Sequence, residues 1–261
     1  MEPMTIREIM DAVGGKLLGE FGDINRMVGR VETDSRTIHA GSLFVPLVGE
    51  RFDGHAYINA ALEGGAAGCF TQRERESYLP GKFYIKVDST QRALRDLAKY
   101  YKKKFPIPVV ALTGSVGKTT TKDMVAAVLG EKYRVLKTEG NLNNDIGVPM
   151  TLLRLSGEHE IAVLELGMNH AGEIDYLSAL VEPDVVLMTN IGDSHIEHFG
   201  SREKILEAKS EIFHHVKSGA FVVINGDDPL LNTLPGKLPY AFTRVGAGEG
   251  LDYRAERLVS D

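Results

Sequence analysis

The feature that most restricts this chain is a glycine loop set between an apolar strand and an amphipathic helix. Val109-Val110-Ala111-Leu112 reads as a buried strand. Thr113-Gly114-Ser115-Val116-Gly117-Lys118-Thr119-Thr120-Thr121 follows, and Met124, Val125, Val128 and Leu129 then recur at helical spacing. Strand, loop and helix in that order make a phosphate cradle. Glycines let successive backbone N–H groups converge on phosphate oxygens, the helix N-terminus adds partial positive charge and Lys118 adds a full one. Thr113, Gly114, Ser115, Val116, Gly117, Lys118, Thr119 and Thr120 are therefore the candidate ATP contacts, with the Thr119 hydroxyl offered to Mg²⁺. The usual loop has a glycine where Leu112 stands here, so this one is shortened and begins at Gly114.

Beyond the loop, the apolar runs Val109–Thr113, 161–166, 185–191 and Phe221–Asn225 alternate with helical patterns, which predicts a parallel, doubly wound sheet. Ahead of it, Ile6, Ile9, Met10 and Val13 predict a short helix stopped by Gly14-Gly15. Apolar runs at 42–48, 67–71 and 83–87 surround a helical stretch near 55–63, and Leu94, Leu97, Ala98, Tyr101 and Phe105 share one face of a closing helix. Phe105-Pro106-Ile107-Pro108 cannot continue that helix and marks a boundary. The expected architecture is α/β throughout. A small N-terminal α/β domain, 1–105, precedes a Rossmann-like parallel-sheet ATPase domain, 106–261.

In such sheets ligands lie beyond the carboxyl ends of the strands. Glu165 ends its strand among aliphatic neighbours, where a carboxylate is costly unless paired or metal-bound, and Mg²⁺ favours such oxygen ligands. The next strand leads into Asn190-Ile191-Gly192-Asp193-Ser194-His195-Ile196-Glu197-His198. Zinc is disfavoured there for want of a third strong ligand, whereas His195 suits a second Mg²⁺. Ser201 caps a helix whose apolar stripe holds Ile205, Ile212, Phe213 and Val216, and Lys209 falls on that stripe. Either its stem snorkels outward, or it is a buried neutral amine able to react with CO₂. Gly246-Ala247-Gly248-Glu249-Gly250 lacks dinucleotide spacing and reads as a turn.

Composition narrows the function classes. A formal charge of −6 over 261 residues argues against a nucleic-acid or membrane-surface binder, so anions must be held locally. Cys69 is the single cysteine, which excludes an intrachain disulfide and a thiolate-rich zinc site. With no secretory signal pattern and no membrane-length apolar run, the expectation is a cytoplasmic protein, monomeric and without nucleic-acid or membrane partners. A kinase or GTPase switch is disfavoured, because no Asn-Lys-x-Asp motif occurs and the glycine loop is short.

These motifs together resemble the Mur ligase family. The shortened glycine loop is similar to that of Mur ligases and folylpolyglutamate synthetases. Gly140-Asn141-Leu142-Asn143-Asn144-Asp145-Ile146-Gly147-Val148-Pro149, Glu165-Leu166-Gly167-Met168-Asn169, the Asn190 to Gly200 loop and Gly226-Asp227-Asp228-Pro229 resemble the D-alanyl-D-alanine-adding branch. Thr33-Asp34-Ser35-Arg36 and Gly49-Glu50-Arg51-Phe52-Asp53-Gly54-His55 look like the segments with which this family holds its UDP-sugar substrate.

The resemblance implies an ATP-dependent amide-bond-forming enzyme that joins D-alanyl-D-alanine to UDP-N-acetylmuramoyl-tripeptide through an acyl phosphate. It implies ATP, two Mg²⁺ ions and a carbamylated Lys209 within Ala208-Lys209-Ser210-Glu211. The catalytic residues would be Lys118, Glu165, His195 and Lys209. Thr119, Glu165, His195 and the Lys209 carbamate would ligate metal, and Asn143 and Asn144 would join the ATP contacts. Asp34, Ser35, Arg36, Arg51, Asp53, Gly54, His55 and Asn190 would contact the substrate. The family has a third, C-terminal domain that this chain is expected to lack, leaving the central domain incomplete. The alternatives are a non-catalytic nucleotide-sugar and ATP-binding fragment, or a sibling ligase of the Mur or folylpolyglutamate synthetase type.

Overall fold

The computed structural model describes residues 1–49 and 51–256. Glu50 and the end of the expected second domain, 257–261, lie outside the described residues. The chain divides into two compact units, and the first, Met1–Phe105, also takes in Leu152–Ser156.

In the first unit β1 (Met4–Thr5) leads into α1 (Ile6–Val13). Thr5 Oγ1 accepts the Glu8 N–H while Glu8 reaches back to the Thr5 N–H, and Gly14 ends the helix at φ 60°, a conformation a side chain would resist. There follow β2 (Lys16–Leu18), β3 (Met27–Val28), β4 (Val31–Glu32), β5 (Leu43–Phe44), β6 (Val48–Gly49), β7 (Phe52–Asp53), α2 (Ile58–Glu63), β8 (Gly68–Thr71), β9 (Phe83–Lys86) and α3 (Thr90–Lys102). Five strands form one sheet in the order β2-β9-β8-β5-β4, parallel except for β2. Strands β6 and β7 make a separate hairpin. The helical stretch expected near 55–63 starts as a 3₁₀ turn, because Asp53 accepts the His55 N–H and tightens the chain before α2. Phe44, Ile58, Leu62, Cys69 and Tyr84 close the core between sheet and α2.

The second unit contains β10 (Val109–Thr113), α4 (Lys118–Gly130), β11 (Val135–Lys137), α5 (Gly147–Leu152), β12 (Ile161–Glu165), α6 (Glu173–Val181), β13 (Val185–Met188), α7 (Ile196–Phe199), α8 (Arg202–Ser210), β14 (Phe221–Asn225), β15 (Phe242–Gly246) and β16 (Tyr253–Arg254). The seven strands are parallel in the order β11-β12-β10-β13-β14-β15-β16. Strand order therefore departs in both directions from β10, which makes its carboxyl end the switch point of the sheet. Val110, Leu112 and Val163 pack with Ala126, Val125 and Leu129 of α4.

Three strands of the second unit escape the sequence reading, as do β1, β2, β3, β4 and β7 of the first. β11 and β16 are two or three residues long and β15 sets Thr243 and Arg244 between its apolar residues, so no apolar run marks them. The helix expected across Ile205 to Val216 stops at Ser210 and continues as a 3₁₀ turn, Glu211–His215. Glu211 accepts N–H groups from Gly172 and Asp175 there, supplying α6 with the N-terminal acceptor its own Gly172 lacks. The turn Gly246-Ala247-Gly248 wraps the Asp227 carboxylate, which accepts the Ala247 and Gly248 N–H groups.

Candidate functional site

The glycine loop leaves β10 between the ends of two neighbours. Leu112 is in register with Glu165 of β12, and Thr113 with Met188 of β13. Gly114 takes φ +153°, and a Cβ there would fall 1.9 Å from Thr189 Oγ1, so this position tolerates only glycine. No side chain caps α4 at Gly117, which leaves the first N–H groups of the helix facing the loop and open to an anion.

Lys118 folds over the loop it follows. Its ammonium donates to the carbonyls of Gly114 at 2.9 Å and Ser115 at 3.2 Å. Burial lowers its pKa from the usual lysine range, and the Glu165 charge opposes that shift.

Glu165 is 1% exposed and is held on both oxygens. Thr119 Oγ1 donates to Oε2 at 3.0 Å, and Asn143 Nδ2 donates to Oε1 at 2.8 Å. The Glu165 N–H donates to Thr138 Oγ1 at 3.0 Å, fixing the backbone beneath. A carboxylate beside a threonine hydroxyl at the mouth of a phosphate loop is the partial oxygen set that Mg²⁺ uses when phosphate and water complete its shell. Among the described residues no three His, Cys, Asp or Glu side chains converge into a metal cage of their own.

Lys209 is 2% exposed in the last turn of α8, which settles the choice left by periodicity: the side chain does not snorkel. Burial, reinforced by the neighbouring Lys118 charge, lowers its pKa to about 7. A large share of this amine is therefore neutral near neutral pH. His195 sits at φ 67° just before the short α7, and its ring lies 6.5 Å from that of His198, which packs on His170 at 5.2 Å.

Two of the expected asparagines hydrogen-bond nearby backbone. Asn144, expected at ATP, accepts the N–H groups of Ile146 and Gly147 and starts α5. Asn190, expected at the substrate, binds the backbone of Val116 with both ends of its amide. Both are short polar side chains whose easiest partners are nearby peptide groups.

In the first unit a cleft of about 390 Å³ is lined by Thr33, Asp34, Ser35, Arg36, Phe44, Phe52, Gly54 and Tyr57. Phe52 and Tyr57 stack at 5.6 Å between ring centres, and both are largely exposed. The Arg36 guanidinium grips Asp34 at 2.7 and 2.9 Å, holding that carboxyl down at about 2. Arg51, Asp53 and His55 do not line this cleft. The Gln72 N–H donates to His55 Nε2 at 3.0 Å, so Nδ1 carries the proton and donates to Asp53 at 2.7 Å. Asp53 also pairs with Arg73 at 2.8 Å, so both residues are committed to the fold. Sequence reasoning placed Phe52 only within the 49–55 segment, and missed Phe44 and Tyr57 as cleft residues and Thr138 and Thr189 as supports. An aromatic beside a glycine turn, Phe52-Asp53-Gly54, was the available signal.

Comparison with known proteins settles the lineage. The Mur ligase middle domain matches residues 112–260, and the Mur ligase family catalytic domain matches residues 28–102. The chain belongs to the Mur ligase family. It is 46% identical over 227 residues to the UDP-N-acetylmuramoyl-tripeptide–D-alanyl-D-alanine ligase of Bacillus subtilis, covering 87% of this chain and 50% of that protein. It is 42% identical to the ligase of the same name from Escherichia coli, covering 87% and 49%. A crystal structure of MurF from Acinetobacter baumannii superimposes with a TM-score of 0.88 at 37% identity, over 97% of this chain and 54% of that one. MurF ligase from Thermotoga maritima, solved in complex with ADP, gives 0.78 at 36% identity, over 85% and 51%. This Mur ligase chain thus spans about half the length of the curated relatives it matches. No helix among its described residues is long and apolar enough to cross a membrane.

Proposed function

We propose that this chain is the substrate-binding and ATP-binding part of a ligase that joins D-alanyl-D-alanine to UDP-N-acetylmuramoyl-tripeptide in peptidoglycan synthesis. The observation that carries this reading is the convergence of Lys118, Thr119 and Glu165 at the switch point of the sheet, in a chain 46% identical to a ligase of that name. On this reading residues 1–105 hold the nucleotide sugar and the segment from 106 onward holds ATP.

The chemistry follows from the groups present. The terminal carboxylate of the tripeptide attacks the γ-phosphorus of ATP, the bond to the β,γ-bridging oxygen breaks, and an acyl phosphate and ADP form. The amine of D-alanyl-D-alanine then attacks the acyl carbon and inorganic phosphate leaves. Lys118 leaves the Gly114 and Ser115 carbonyls to meet the phosphates, while the α4 N-terminus holds them in line. Glu165 and Thr119 would hold Mg²⁺, which when bound supplies charge neutralisation on the transferring group. Lys209, buried and with its pKa lowered to about 7, is suited to carbamylation, and as a carbamate it would serve with His195 at a second Mg²⁺. Phe52 and Tyr57 offer a stacking face for a pyrimidine ring, with Ser35 and Arg36 at the same cleft for polar and anionic groups.

Calorimetric titration with ADP and Mg²⁺ tests the ATP half: Lys118→Ala should weaken binding at least tenfold, and equal affinity would overturn the reading. Phosphate release by the full-length ligase should require both the UDP-linked tripeptide and D-alanyl-D-alanine. Acceptance of single amino acids would favour a sibling ligase. Binding of both nucleotides with no phosphate release would favour a binding module.

A further inference from the structure

The phosphate loop is held from one side by the turn that follows β13. Thr189 Oγ1 donates to the Val116 carbonyl at 2.7 Å, and the Gly192 N–H donates to Ser115 Oγ at 2.8 Å. Asn190 contributes most: its Oδ1 accepts the Val116 N–H at 3.0 Å, its Nδ2 donates to the Val116 carbonyl at 3.1 Å, and its own carbonyl accepts the Ser115 N–H at 2.9 Å. A primary amide carries a donor and an acceptor side by side, so it can pair with both polar groups of one loop residue, as a neighbouring strand would. On its far side the same turn is fixed to buried Asp228, whose Oδ2 accepts the Ile191 N–H at 2.7 Å while Oδ1 accepts those of Leu230 and Leu231.

The loop needs such a brace. Gly114 and Gly117 both take positive φ, and the Val116 side chain projects 60% exposed and packs on little. Two glycines in a short loop leave many conformations of similar energy, most of which do not aim the N–H groups at one point. A loop already fixed in its open shape avoids the ordering cost when a phosphate arrives.

We propose that Asn190 is a positioning residue that preorganises the phosphate loop for nucleotide, by clamping the Ser115-Val116 peptide against the turn that leads to His195. It acts through the backbone it holds, with both ends of its amide engaged by Val116. The inference has one arm that rests on the ATP reading and one that does not.

The test uses the wild-type chain, Asn190→Ala and Asn190→Asp. In the nucleotide-free protein, the NMR order parameter of the Val116 amide should fall from about 0.85, the value of rigid backbone, to below about 0.6 in Asn190→Ala. Asn190→Asp keeps the acceptor and loses the donor, so it should fall in between. ADP affinity measured by calorimetry with Mg²⁺ should drop at least tenfold in Asn190→Ala, with order parameters in β10 and β14 unchanged as the check on folding. A Val116 amide as rigid in both variants as in wild type would overturn the clamp. A loosened loop with unchanged ADP affinity would overturn its role in positioning. If the wild-type chain bound no ADP, the ATP reading would fail, while the order parameters would still decide the clamp.

Discussion

Thr119 donates its hydroxyl to Glu165 Oε2 at 3.0 Å, joining the start of α4 to the end of β12. The bond exists because the parallel register of β10 and β12 sets Leu112 beside Glu165, so the helix leaving the loop starts directly over the acid. A bound cation would take both oxygens in place of this hydrogen bond. Glu165→Gln can still accept from Thr119 but cannot offer a charged ligand. Its expected effect is to remove most of the Mg²⁺-dependent gain in ADP affinity, about 1.4 kcal/mol for each tenfold. Calorimetry with and without Mg²⁺ measures it, and an undiminished Mg²⁺ effect would exclude Glu165 as a ligand.

Lys209 sets a pH dependence of stability. Its folded pKa of about 7 lies below the ordinary 10.5, so below pH 7 both states are protonated and the native state carries the full cost of a buried charge. Between the two values the native amine sheds its proton first, and the cost declines by up to about 1.4 kcal/mol per pH unit. Lys209→Met should therefore be more stable than wild type, most of all below pH 7, with the advantage shrinking as pH rises toward 10.5. Urea unfolding in CO₂-free buffer across this range checks it. A constant difference would show that the amine is not desolvated.

Gly114→Ala should destabilise the second unit by about 1–3 kcal/mol, from the strain of a side chain at positive φ and the clash with Thr189. Adding Thr189→Ala should recover the clash component alone, since the backbone strain stays. Thermal unfolding of both single variants and the double variant separates the two components, and strict additivity would rule out the contact.

Tyr101 ties the stray segment Leu152–Ser156 into the first unit. Its hydroxyl donates to the Leu155 carbonyl at 2.6 Å and accepts the Glu2 N–H at 2.6 Å, on a side chain that is fully buried. Tyr101→Phe keeps the ring and strands both groups, so a loss of about 1–3 kcal/mol is expected in urea unfolding. A change below about 0.5 kcal/mol would mean that water replaces both bonds.

Local pattern was enough for the elements whose signals lie within one segment. The strand-loop-helix around Gly114 to Lys118, the short α1 stopped at Gly14, and the placing of Ile205 and Lys209 on the buried face of α8 all depend on residues a few positions apart, and the structure has each of them. Buried aliphatic runs likewise announced β10, β12, β13 and β14. The polar strands β11, β15 and β16 could not be seen that way, because they are held by neighbours already in the sheet and not by an apolar face of their own.

What the sequence determined by itself is the parallel α/β architecture, the phosphate loop and the residue types at the strand ends, since periodicity and loop chemistry are local properties. What only the tertiary structure decided is which polar side chains are free for a ligand. His55, Asp53, Asn144 and Asn190 look available in sequence, yet each is taken up by backbone or side-chain partners, some of them distant in the chain. Lys209 is the converse, since one helix offers its stem a route to solvent and only the packing of the folded unit closes it. The reason in both cases is that hydrogen-bond satisfaction and desolvation are properties of three-dimensional neighbourhoods, which a residue's position along the chain does not specify.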